Sequence, residues 1–391
     1  MEAAAAAADE VTIAPPDMAT NSMVFSLCFH PVEPLVVVGL VSGEVGVHRI
    51  NGGAEPQTLL HTLSHHTDSC RAMCVTDNGE LVTCSADASV AVVDLTTGST
   101  SWHHKEAHGE TGINECLLMG EATNPAGMIA TGDDDGTIKL WDVRQKKEAM
   151  KFSDHEDYVS AFVVHEDKRT LVSTSGDGTL CAYNLRKGKL ECRSDQLEDE
   201  LLSCVTLKGG KIILCGSQEG VLHTYKWGEW ADCSDRFPGH PNSIDAIVAL
   251  TDDLVLTGSS DGLIRLVRFS IDFLLIRYCF WTVFRLCLCL ILVYFDAQVN
   301  IQPHKLVGVL GDHGDFPIET IVMRESSEKL NCDLCASSSH EGVVKFWNLG
   351  EMIDLSDSEG EESDDSDEQF SDGDEDSEGE EKAIVAAAAG A

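Results

Sequence analysis

One phrase recurs through this chain of 391 residues and leaves few folds open to it. Each copy has a short apolar run, a Gly or Ser, a polar turn ending in Asp-Gly or a relative, and an alternating strand that often closes on Trp-Asp or Trp-Asn. Seven copies are present: VVVGLVSGEVGVHRI (36–50), LVTCSADASVAVVDL (81–95), IATGDDDGTIKLWDV (129–143), LVSTSGDGTLCAYNL (171–185), ILCGSQEGVLHTYKW (213–227), LVLTGSSDGLIRLVR (254–268) and DLCASSSHEGVVKFWNL (333–349). Their turn positions, Gly43, Ala88, Gly136, Gly178, Gly220, Gly262 and Gly342, follow one another in steps of 45, 48, 42, 42, 42 and 80. Period-2 alternation around an Asp-Gly turn is the signature of a tight β-hairpin. A unit of about 40–45 residues holds four such strands, and a ring of units covers the faces and edges that one sheet alone leaves bare. The expected fold is therefore all-β: a seven-bladed propeller over residues 23–350, preceded by an Ala-rich tail (1–22) and followed by an acidic one (351–391).

These repeats resemble the WD-repeat family, and the third copy carries the resemblance most fully. In that family a His before a blade's first strand, a Ser/Thr, the turn Asp and the Trp form a buried hydrogen-bonded tetrad. The resemblance assigns those roles here to His108, Thr131, Asp135 and Trp141. Burial explains the need for such a set, because an indole N–H and a carboxylate removed from water must each find a partner. Partial sets recur as His155 with Ser173 and Asp177, His240 with Thr257 and Asp261, and His313 with Trp347, whereas blade five lacks its His and Asp. These groups are read as structural rather than catalytic. Little chain follows Trp347, so a strand near Val11–Ile13 or Met23–Ser26 is expected to close blade seven.

The long last step contains FSIDFLLIRYCFWTVFRLCLCLILVYFDAQ (269–298), and taking that stretch out shortens the step from 80 to 50, close to the others. LIRLVR and VNIQPHKLVGVLGDH then read as the third and outer strands of blade six, leading to His313. A membrane helix would meet Arg277 and Arg285 at roughly 2.5–3.5 kcal/mol each and, as a single crossing, could not return to the same ring. A real loop would need a partner for its apolar surface. The favoured reading is translated intron. The stretch holds eight of the chain's 24 aromatics; U-rich codons specify its commonest residues, and Arg268-Phe269 and Gln298 can encode splice signals.

Further stretches, in order along the propeller, resemble the WD-repeat-containing protein 55 family, plant members in particular: CRAM (70–73), DDDGTIKLWDVRQ (133–145), HEDYVS (155–160), SGDGTL (175–180), EDELLS (198–203), WADCSDRF (230–237), NSIDAIV (242–248) and IQP (301–303). The resemblance implies a non-enzymatic scaffold with two activities. One is service as a substrate receptor of the cullin-4 ubiquitin ligase through the damaged-DNA-binding protein 1 adaptor, with effects on plant development. The other is a role in ribosomal RNA production and ribosome biogenesis in the nucleus and nucleolus, with the cytoplasm as a further location. MIATGDDDGTIKLWDVR (128–144) matches the adaptor-binding box: Trp141 would anchor the blade, Asp142 would end its strand, and Arg144 would present a five-donor fork on the narrow face. Arg186 in YNLR is a weaker second copy. Many WD repeats carry this tetrapeptide without binding the adaptor, so a plain surface arginine is the competing reading.

Composition narrows the partners. A formal charge of −39 with only 27 Lys and Arg argues against direct nucleic-acid or anionic-membrane binding and favours basic partners. Residues 356–381 hold fifteen acids and no base, a self-repelling composition expected to stay disordered and to suit basic nuclear or ribosomal proteins. Within it Ser356, Ser358, Ser371 and Ser377 each precede an acid by three residues, a pattern suiting acidophilic kinases. The fifteen cysteines lie scattered in apolar runs and are expected to be reduced and buried. The N-terminus lacks a basic region and an apolar core of signal-peptide length. No Walker loop, G-x-G-x-x-G after a strand, H-E-x-x-H or G-x-S-x-G is present, and no cofactor is expected. The single C-x-x-C (Cys332, Cys335) has no second pair to complete a zinc site, and His65-His66 and His103-His104 read as loop pairs near blade starts, where a tetrad role for one member outweighs metal binding.

Overall fold

A computed structural model describes residues 14–51, 55–76, 78–119, 128–165, 169–269, 305–324 and 334–349. Among them lie seven four-stranded antiparallel sheets and no helix. The inner strands are Val24–Phe29, Cys70–Val75, Ile113–Met119, Val159–His165, Leu201–Leu207, Ile244–Ala249 and Ile318–Arg324. Each touches the next around the ring, and the last touches the first, so the sheets are blades of a closed seven-bladed propeller.

The burial of the strands follows their place in the blade. The second strands, such as Met128–Asp133 and Leu254–Ser259, are buried at every residue apart from Glu80 at the start of blade two's. Neighbouring blades cover both their faces, which is why they read as continuous runs of apolar and small residues rather than as alternations. Outer strands such as Lys147–Phe152 are mostly exposed. The core is accordingly seven layers, one between each pair of neighbouring blades; the layer between blades two and three packs Val82, Val90 and Val92 against Ile113, Ile129 and Trp141.

Each inner strand carries a bulge one residue past its start, as at Ile113/Glu115 and Ile318/Thr320. The turns between second and third strands need the left-handed region. At Gly178 (φ 73°) a Cβ would also lie 2.5 Å from the Leu197 carbonyl oxygen, so only glycine fits. Ala88, with φ 64°, is the one alanine among the seven turn positions.

The ring closes differently from the expectation above. Met18–Ala19 supplies the outer strand of blade seven, pairing with Val344 and Val343, so the propeller begins before residue 23. Val24–Phe29 is instead the inner strand of blade one, and Val11–Ile13 lies outside the described residues. Thr20 supports the closure by donating its N–H (2.9 Å) and Oγ1–H (2.7 Å) to the Gly342 carbonyl. On the inner side, the buried Arg324 of blade seven donates to the carbonyls of Glu33 (2.7 Å) and Val32 (3.0 Å) in blade one.

Blade six is complete without the long apolar segment. Its third strand, Leu263–Arg268, pairs with its outer strand, Lys305–Asp312, and Arg268 stands opposite Lys305. Phe269 belongs to the blade rather than to the insertion: it is 1% exposed, packs near Phe237, and donates its N–H to the Asp253 carbonyl at 2.7 Å. The remainder of the 269–298 segment lies outside the described residues, as does the tail that carries Ser356, Ser358, Ser371 and Ser377. Among the described residues no helix is long and apolar enough to cross a membrane.

Candidate functional site

The third blade holds a proton-ordered chain of buried groups. Trp141 Nε1–H donates to Thr131 Oγ1 at 2.8 Å, and Thr131 Oγ1 meets His108 Nε2 at 2.7 Å. The other ring nitrogen, His108 Nδ1, meets Asp133 Oδ2 at 2.8 Å. With Nδ1–H donating to Asp133 Oδ2, Nε2 is left to accept the Thr131 hydroxyl proton, so a neutral imidazole satisfies every group. Burial lowers the His108 pKa against the upward pull of Asp133, consistent with that neutral form.

The carboxylate is not the one that spacing suggests. Asp135 is exposed and accepts from Thr111 Oγ1 at 2.9 Å. Asp133 sits at the end of the buried second strand; its other oxygen accepts the N–H groups of Asp135 (3.1 Å) and Thr137 (2.6 Å). In the run Asp133-Asp134-Asp135, the acid that reaches the histidine is the one whose Cα lies in the sheet.

The other networks vary on this plan. In blade four His155 Nε2 meets Ser173 Oγ at 2.6 Å and Nδ1 lies 3.4 Å from Asp177 Oδ2. Hydrogen bonds from His155, Thr179 and the Glu156 N–H hold the Asp177 carboxyl well below its usual range against the opposing effect of burial. Asp261, expected beside His240, is instead bound by Arg265 Nη1 at 3.0 Å, and His240 keeps only Thr257 Oγ1 at 2.8 Å. Blade seven pairs His313 Nε2 (2.7 Å) and Trp347 Nε1–H (2.9 Å) with Ser337 Oγ. Blade two has Val93 where blade three has Trp141, and a second histidine takes the indole's place: His65 and His66 both approach Thr83 Oγ1 at 2.8 Å. Its proximity to His66 in sequence hides this substitution, because only folding brings the His65 ring to the indole position. His103 and His104 lie in the outer strand of blade two, paired with Ala91 and Val90, rather than in a loop. Among the described residues no group of three or more His, Cys, Asp or Glu is arranged to hold a metal ion.

This buried scaffolding sets one exposed feature. Trp141 is 2% exposed and Asp142 8%, and Asp142 Oδ1 accepts the Gln145 N–H at 2.9 Å, folding the turn that leads to the outer strand. Arg144 stands in that turn, exposed to solvent, with no hydrogen bond or ion pair among the described residues. Arg186 occupies the equivalent turn of blade four, where Asn184 Oδ1 replaces the Asp142 carboxylate and accepts the Arg186 and Lys187 N–H groups at 3.2 and 3.1 Å. In each blade the turns after the first and third strands lie on one face of the ring, and those after the second strand lie on the other. Arg144 and Arg186 therefore share a face.

Seven four-stranded sheets, six of them turned on glycine, with buried His–Ser/Thr–Trp networks inside blades three and seven, define a WD-repeat β-propeller, a class whose blades serve as a scaffold for other molecules. A family model described as WDR55 matches residues 15–272. WD repeat-containing protein 55 of Arabidopsis thaliana is 35% identical over 340 residues, covering 86% of this chain and 83% of that protein. The Dictyostelium discoideum homolog is 32% identical over 88% of this chain and 72% of its own length, and the Homo sapiens protein 31% identical over 86% and 77%. The chain belongs to the WDR55 family.

Proposed function

We propose that this scaffold acts as a substrate receptor of the cullin-4 ubiquitin ligase, held by the damaged-DNA-binding protein 1 adaptor through Arg144. The observation that supports this reading is the state of that side chain. Arg144 is an unpaired guanidinium on a four-residue turn whose two flanking residues, Trp141 and Asp142, are locked into the blade. A preorganised five-donor fork loses little entropy on meeting partner carbonyls or carboxylates, and arginine is over-represented among residues that dominate interfaces. Trp141 and Asp142 act through the turn and do not themselves touch the partner.

Co-precipitation with the adaptor tests the proposal. Arg144→Ala is expected to weaken binding by about 2 kcal/mol, roughly thirtyfold, without altering the fold. Undiminished binding of the variant retires the site. Failure of the unaltered chain to bind favours the second reading, a nuclear and nucleolar role in ribosomal RNA production. That reading rests on the acid-rich run at 356–381 and the four of its serines that precede an acid by three residues, Ser356, Ser358, Ser371 and Ser377, as a contact for basic proteins.

A further inference from the structure

The propeller sorts its charge by face. All seven turns between second and third strands carry an acid, among them Glu44, Asp87, Asp177, Glu219 and Glu341, and none carries Lys or Arg. The opposite face breaks this pattern in three neighbouring blades. The outer turn of blade three reads VRQKK (143–147), that of blade four LRKGK (185–189), and the inner turn of blade five KGGK (208–211), with no acid in any of them.

These turns adjoin in space. Gly188 lies over blade three, where a Cβ on it would be 3.7 Å from Met150 Sδ. His165, at the end of blade four's inner strand, reaches the Gly209 carbonyl of blade five at 3.1 Å and packs against Trp227 with ring centroids 5.3 Å apart and planes tilted by 52°. Lys147, Arg186, Lys187, Lys189 and Lys211 are exposed, and among the described residues their side chains have no hydrogen bond or ion pair. Lys208, by contrast, is neutralised by Asp253 at 2.9 Å. Unpaired like charges held on rigid adjoining turns repel one another, and that repulsion is relieved by an anionic ligand laid across them.

We propose that this arc, from the outer turn of blade three to the inner turn of blade five, is a docking surface for an extended acidic polypeptide segment. The tips of the three turns carry no aromatic side chain, so they offer no platform for stacking bases. A nucleic acid would extend its regular phosphates beyond the arc and over a molecule with a formal charge of −39, whereas a short run of Asp and Glu confines its charge to the arc. The arc borders on the adaptor contact assigned to Arg144, which stands in its first turn, and the test leaves Arg144 in place so that the two readings fail separately.

The test uses the full chain and a fluorescently labelled oligo-glutamate of about ten residues, which spans ~33 Å when extended. Anisotropy is expected to show binding that weakens as salt rises. The triple variant Lys187→Glu, Lys189→Glu, Lys211→Glu is expected to lower affinity at least about tenfold. Lys105→Glu with Lys151→Glu, exposed on the acidic side of the ring, should change it less than about twofold. Equal loss in both variants would mean that net charge alone matters, and the site would be withdrawn. No binding by the unaltered chain, or tighter binding of a single-stranded RNA of equal charge with the same dependence on the triple variant, would also overturn it.

Discussion

Asp133 and Asp135 stand two positions apart and do opposite work, which makes them the sharpest test of the buried network. Asp133→Ala leaves His108 Nδ1 and the Thr137 N–H without their acceptor and is expected to cost about 2–3 kcal/mol, read as a fall in urea midpoint. Asp135→Ala removes one surface hydrogen bond and should stay within about 0.5 kcal/mol. Histidines set the acid limb of stability. Burial lowers His65, His66, His240 and His313 to about 4. The fold holds them neutral, so their contribution is complete above their ordinary value of 6.5 and is lost as pH falls from there toward 4. Glu115 acts in the other direction. It occupies the third inner-strand position, where the other blades have Ser26, Ala72, Ala161, Ser203, Ala246 and Thr320, and burial raises its carboxyl to about 8. Its protonated form is favoured in the fold, so stability declines as pH rises from 4.5 through 8. Glu115→Gln is expected to flatten that alkaline limb and leave the acid limb unchanged, as thermal melts across pH would show.

At the scale of elements, the hairpin is the unit that the amino acids specify most directly. The Asp-Gly turns and the alternating strands beside them were legible because both depend on groups that are near neighbours along the chain. Where register decides, blade six is the instructive case. Arg268 and Lys305 are opposed across a completed hairpin, although the whole apolar segment intervenes between Phe269 and Lys305. A connection shortened about sixfold costs about 1.5 kcal/mol less to close in chain entropy. A chain lacking residues 270–298 is therefore expected to keep its circular dichroism spectrum and melt at the same temperature or higher; loss of cooperative melting would show that the segment belongs to the fold. Phe269 must be retained, since its removal would open the layer between blades five and six.

For the whole molecule, the decisive event is closure, which joins the two ends of the ring across nearly its full sequence. Met18 is buried against blade seven and Thr20 donates to Gly342. Deleting positions 1–22 strips the outer strand from that blade and exposes the apolar layer between blades seven and one. Burial of Met18 alone is worth about 2 kcal/mol, and the lost strand pairing adds to it. Limited proteolysis should cut such a chain first in blade seven, and its melting point should fall; an unchanged melt would show that closure lies elsewhere. Charge sorting belongs to this scale too. A formal charge of −39 predicts basic partners, yet the ring gathers Lys147, Arg186, Lys187, Lys189 and Lys211 on one face.

The repeat, the hairpins and the seven-bladed ring were determined by the amino-acid sequence alone, because alternation and turn chemistry act locally and repeat. Only the tertiary structure decided which carboxylate meets His108, that His65 takes the place of an indole, that Met18–Ala19 closes the ring, and that basic turns from three blades adjoin. Each of these depends on which groups share a layer or a face once the ring is shut. Distance along the chain carries no information about that.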